Sequence, residues 1–125
     1  MIGQTGSDLM AWSDVIVLAI VLIGSGVALT WVGRKAVRGT LRRNAWAGIR
    51  TKSTTASDEA WDAAHRAGGE LIAWAGYGSV VIGLLLLFRP SNTVGAVMLG
   101  GWFVVMMTLM FVSTMKAIRA AKAVG

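Results

Sequence analysis

The sequence predicts an all-α integral membrane protein: three transmembrane helices, with an ordered cytoplasmic loop and amphipathic helix between helices 1 and 2. Three observations carry this. Three stretches lack charge for about the 20 residues that a bilayer crossing requires. The basic residues gather at alternate ends of those stretches, and a single polar, tryptophan-bearing segment separates the first from the second. With 55% hydrophobic and 14% charged residues in a 125-residue chain, three all-apolar helices exceed what a soluble globule of this size can bury.

The N-terminal tail, MIGQTGSDLMAWSD, holds two acids and no Lys or Arg. It lacks the positive start and small-residue cleavage site of a signal peptide, so helix 1 is expected to persist. Helix 1 is placed at about 15–33, helix 2 at 71–88 and helix 3 at 94–115, with segment 34–70 between the first two, all in one membrane domain. The tail carries no basic residue, segment 34–70 carries eight, the R-P-S-N loop carries only Arg89, and the C-terminal tail has Lys116, Arg119 and Lys122. Positive residues stay on the cytoplasmic side, which places the N-terminus outside and the C-terminus inside. Trp12, Trp31 and Trp74 read as interfacial anchors. The short second loop makes helices 2 and 3 an antiparallel hairpin.

Small residues four apart (Gly24 and Ala28, Gly26 and Thr30, Gly69 and Ala73, Ala96 and Gly100) permit close helix approach. Three helices form a thin bundle, and a homo-oligomer or a complex with another membrane protein is expected. Helix 3 holds five of the seven methionines. Thioethers bind soft metals, but no Cys or His accompanies them at membrane depth, so they are read as packing residues. No metal and no cofactor are expected. The net charge of +6 flanks apolar runs rather than covering a soluble face. It points to a bilayer with anionic lipids and not to nucleic acid.

Residues 44–66 carry the informative chemistry. Ser57 is placed to cap a helix whose first turn contains Asp58 and Glu59, with Thr55 and Asp58 as a competing capping pair. From there Asp58, Trp61, His65 and Gly68 share one stripe, and Asp62, Arg66 and Glu70 form a charge ladder on another. Gly68-Gly69 is expected to bend this amphipathic lead-in as it turns into the membrane. His65 is the only histidine. It is weighed as a general base, a pH sensor and a loop-fixing hydrogen-bonder, with Asn44 or Thr51 as partner, and the last role is favoured. No G-x-S-x-G, Walker or H-E-x-x-H sequence occurs, so no enzyme is expected. The weaker alternative is lipid-headgroup chemistry at His65 with Asp58 and Arg50. The arrangement expected is a compact cap, with Arg50 paired to Asp58 or Glu59, His65 hydrogen-bonded beneath it, and Trp46 and Trp61 packed toward the helices. Gly48 would supply a positive backbone angle or a close approach.

Asn44-x-Trp46-x-Gly48-Ile49-Arg50-Thr51, then Ser57-Asp58-Glu59-x-Trp61-x-x-x-His65-Arg66 and Gly69, resembles the signature of the SdpI family of bacterial membrane proteins. Lys52 and Ser53 depart from it where members often carry proline and a bulky or small residue, which makes that turn less rigid. The resemblance implies a multi-pass protein of the bacterial cytoplasmic membrane, one that protects against a membrane-active toxin peptide or tethers a cytoplasmic regulator. On that reading Asn44, Trp46, Gly48, Arg50, Thr51, Asp58, Glu59, Trp61, His65 and Arg66 are the motif and partner-binding residues. An accessory subunit of a larger membrane enzyme or transporter is the alternative.

Overall fold

The computed structural model describes residues 9–44 and 47–124, and over these it is helical: α1 (Trp12–Arg38), α2 (Asp58–Leu86) and α3 (Asn92–Val124). All three are long and apolar enough to cross a membrane. Each outruns the uncharged stretch that identified it. α1 continues to Arg38 because Lys35 and Arg38 in its last turn complement the negative end of the helix dipole. It stops at Gly39, whose φ of 74° lets its N–H return to the Ala36 carbonyl. Trp12 and Trp31, 19 residues apart and about 28 Å at 1.5 Å per residue, are each exposed beneath a cation, Arg89 and Lys35 respectively. That spacing matches the roughly 30 Å hydrocarbon layer.

α2 joins the expected lead-in and span in one unbroken helix of 29 residues. The sequence places charges up to Glu70 and none from Leu71 to Leu86, so the crossing part is 71–86 and 58–70 projects beyond it. Gly68 and Gly69 make no bend that ends the helix. Instead they let neighbours approach: a Cβ on Gly68 would lie 2.9 Å from the Ser113 carbonyl oxygen, and one on Gly69 2.9 Å from that of Gly33.

Two seams of small residues hold the bundle. Along α1 and α2, which run antiparallel, Ala19, Gly26 and Gly33 meet Gly83, Gly76 and Gly69, each set stepping by seven residues. Seven residues are close to two turns, so each set stays on one face. Thr30 donates to the Gly26 carbonyl at 2.8 Å, keeping its hydroxyl satisfied inside the seam. The second seam pairs the projecting halves of α2 and α3. Ala60, Ala64 and Gly68 step by four against Ala121, Ala117 and Ser113, and the Ser113 hydroxyl donates to the Gly68 carbonyl at 2.9 Å. Residues 116–124, read from sequence as a tail, are thus the helical partner of the lead-in.

The end remote from the 39–57 connection is also tied. Met10 N–H donates to the Pro90 carbonyl at 2.9 Å, and Arg89 Nε returns to the Met10 carbonyl at 2.8 Å from a backbone with φ of 56°. Met10 is buried against Gly95, Leu86 and Val15.

Candidate functional site

The 39–57 connection folds back over the start of α2, and the order begins with a helix cap. Ser57 Oγ accepts from the Ala60 N–H at 3.0 Å, so Ser57, not Thr55, starts the helix. One and two turns on, Trp61 and His65 lie four apart on the face turned to the connection. Both are almost fully buried, and their rings stack with centroids 4.0 Å apart. Trp61 Nε1–H donates to the Leu41 carbonyl at 2.9 Å, which pins the chain leaving α1.

His65 is the node of the loop. Its Nδ1 lies 2.8 Å from the Trp61 carbonyl oxygen, which can only accept, so Nδ1 carries the proton. Its Nε2 lies 2.7 Å from the Ile49 N–H, which can only donate, so Nε2 is the acceptor. The ring is thereby held neutral in one tautomer. Burial pushes its pKa below the ordinary imidazole value, against the opposing pull of the Trp61 carbonyl and the Asp62 charge. The partner is the Ile49 backbone rather than Asn44 or Thr51. Both ring nitrogens are thus bonded to backbone.

The G-I-R-T run is built around that bond. Gly48 has φ of 106°, and a Cβ there would sit 2.6 Å from His65 Nε2, so the position needs both the positive angle and the missing side chain. Ile49 is clasped on both sides, its N–H by His65 and its carbonyl by the Thr54 hydroxyl at 2.8 Å. Thr51 and Thr54 close the next turn, Thr54 Oγ1 accepting from the Thr51 N–H at 2.8 Å and Thr51 Oγ1 from the Thr54 N–H at 3.1 Å. Hydroxyl bonds hold this turn where Lys52 and Ser53 supply no proline. Asn44 Nδ2 donates to the Arg42 carbonyl and its Oδ1 accepts from the Ala47 N–H.

The expected Arg50 pairing is not what the structure holds. Arg50 donates to the Asn44 carbonyl and lies 5.9 Å over the Trp61 ring. Asp58 is engaged by Arg43 at 3.2 Å, an exposed pair worth about 0–1 kcal/mol. Of the charge ladder, Asp62 and Arg66 pair at 2.8 Å, while Glu70 has no ion pair among the described residues. Glu59 sits in the first turn of α2, exposed. The expectation for Trp46 lies outside the described residues.

Thr54, Leu41 and Arg43 were not singled out from sequence. Thr54 is fully buried and Leu41 nearly so, yet each acts through a backbone carbonyl or a contact distant in sequence. One signal was available for Thr54: it lies three residues after Thr51, a spacing at which two hydroxyls can close a turn.

Outside this buried set a polar cleft of about 670 Å³ opens, lined by Leu41, Arg42, Arg43, Asp58, Trp61 and Asp62. No curated protein and no solved structure matches the chain. The family model described as the SdpI/YfhL protein family matches residues 40–116, from the turn after α1 through the cap and the α2–α3 hairpin. That is more than half of the chain and includes every residue of the His65 network, and the protein belongs to the SdpI/YfhL family.

Proposed function

We propose that this membrane protein acts by binding and not by catalysis: its helices meet a membrane-active toxin peptide, or its cap tethers a cytoplasmic regulator. The observation that carries the reading is the division of labour in the cap. Its motif residues Gly48, Thr51, Trp61 and His65 are spent on backbone bonds and packing, which leaves Arg42, Arg43, Asp58 and Asp62 around an open cleft. Such a rim, carrying both charge signs, suits recognition of a folded or helical partner. The cap is assigned to the cytoplasmic side by the eight basic residues of segment 34–70.

The test is expression in a bacterium sensitive to a membrane-active peptide, together with gentle co-purification from native membranes. Expected are survival of peptide challenge or a stoichiometric soluble partner. Arg42→Ala and Asp62→Ala should weaken either readout several-fold, and Lys122→Ala should not. Normal sensitivity with no soluble partner would remove the reading. The second reading, an accessory subunit, draws on α3. Gly100 and Gly101 face open space beside exposed Val97 and Val104, a face on which another membrane helix can pack. A stoichiometric membrane partner lost on Gly100→Leu would favour it.

A further inference from the structure

A lipid-facing groove runs down the bundle at the end where α1 finishes. One stripe of α2, from Glu70 through Leu71, Trp74, Tyr77 and Gly78 to Ile82, lines two adjoining cavities that share Trp74 and Tyr77. The larger cavity, about 590 Å³, lies between α2 and α3 and is walled by Trp74, Val81, Ile82, Trp102 and Leu109. One side of its wall is tied in place: Trp102 Nε1–H donates to the buried Ser79 hydroxyl at 3.2 Å, and the indole lies over Gly78 so closely that a Cβ there has no room. The smaller cavity, about 330 Å³, is lined by Arg34 and Arg38 of α1 together with Glu70 and Tyr77 of α2.

The polar cavity has an unusual charge pattern for the end of an apolar groove. Arg34 donates to the Tyr77 hydroxyl at 2.8 Å, which leaves the phenol proton free to donate. Among the described residues, none of Arg34, Arg38 and Glu70 is in an ion pair, although all three line one cavity. Two cations and a phenol suit a phosphate, and a carboxylate beside them suits a cation or a hydrogen-bond donor. The stripe from Glu70 to Ile82 spans 12 residues, about 18 Å at 1.5 Å per residue, close to one leaflet of a hydrocarbon core about 30 Å thick.

We infer that this groove is a binding site for one phospholipid with an amine headgroup, of the phosphatidylethanolamine type. Its phosphate lies at Arg34, Arg38 and Tyr77, its ammonium at Glu70, and one acyl chain between Trp74 and Trp102. Phosphatidylcholine supplies a cation with no N–H donor, and phosphatidylglycerol supplies hydroxyls with no positive charge, so the Glu70 carboxylate discriminates among the three.

Native mass spectrometry of the full chain in mild detergent tests this, with an equimolar mixture of dioleoyl phosphatidylethanolamine, phosphatidylglycerol and phosphatidylcholine. The expected result is one retained lipid per chain, with the ethanolamine lipid favoured several-fold. Glu70→Gln should abolish that preference while retaining lipid. Arg34→Gln with Arg38→Gln should reduce retention of all three, as should Val81→Trp, which fills the groove. Circular dichroism of each variant reports retained helix content. Equal retention of the three lipids by the native chain, a preference for phosphatidylglycerol, or a preference unchanged in Glu70→Gln would overturn the assignment.

Discussion

At the scale of single residues, the cap depends on groups whose value lies in what they leave unprotonated or unfilled. His65 must stay neutral to accept from Ile49 N–H, and burial lowers its pKa. The unfolded chain therefore takes up the proton more readily. The stability contributed by neutral His65 is fully present above the unfolded value of about 6.5 and is lost as pH falls below it toward the lower folded value. Unfolding of the detergent-solubilised chain should show a flat midpoint above neutrality and a decline that begins as pH falls below about 6.5. His65→Phe keeps a ring against Trp61 but strands the Ile49 N–H. It should cost about 1–3 kcal/mol at neutral pH and flatten that decline; an unchanged acid limb would contradict the assignment. Gly48→Ala should cost at least about 1–3 kcal/mol from backbone strain alone, read by the same unfolding measurement. Gly48 and His65 were legible in the sequence as residue types out of place. Their mutual contact was not, because 17 residues separate them and no periodicity links a loop glycine to a helix face.

At the scale of elements, close approach decides which glycines matter. The four-residue spacings in the sequence marked Gly26 with Thr30 and Gly69 with Ala73, which do lie in the α1–α2 seam. They equally marked Gly24 with Ala28 and Ala96 with Gly100, which are exposed and lie outside both seams. Gly33→Val would put a Cβ 2.8 Å from the Ala73 Cα. It is expected to destabilise the α1–α2 packing by about 1–3 kcal/mol, measured by resistance to unfolding in denaturing detergent. Gly24→Ala, with nothing within 4 Å, should leave that resistance unreduced. Equal losses at the two positions would refute the seam. The seven-residue step of both helices was present in the sequence, but a step alone does not say which face meets a partner. In a bilayer the lipid is as apolar as the core, so hydropathy carries no such signal.

For the whole molecule, the absence of cysteine from the sequence makes topology directly measurable. Lys52→Cys and Asn92→Cys, both at exposed positions near opposite ends of the bundle, should react with an impermeant thiol reagent from opposite sides of the membrane. Lys52→Cys is expected to be protected in intact cells; labelling there would reverse the orientation assigned from the basic residues. The sequence by itself determined the three crossings, the hairpin and the family. Charge-free length and loop composition are local properties, and transfer into a bilayer reads them residue by residue. Tertiary structure decided the rest: that the lead-in and span are one helix, that the basic C-terminal run is its partner, that Arg43 rather than Arg50 meets Asp58, and that Ile49 is what His65 holds. Those choices depend on which surfaces meet at van der Waals distance and which backbone groups they leave to satisfy, and neither is a property of any one stretch of chain.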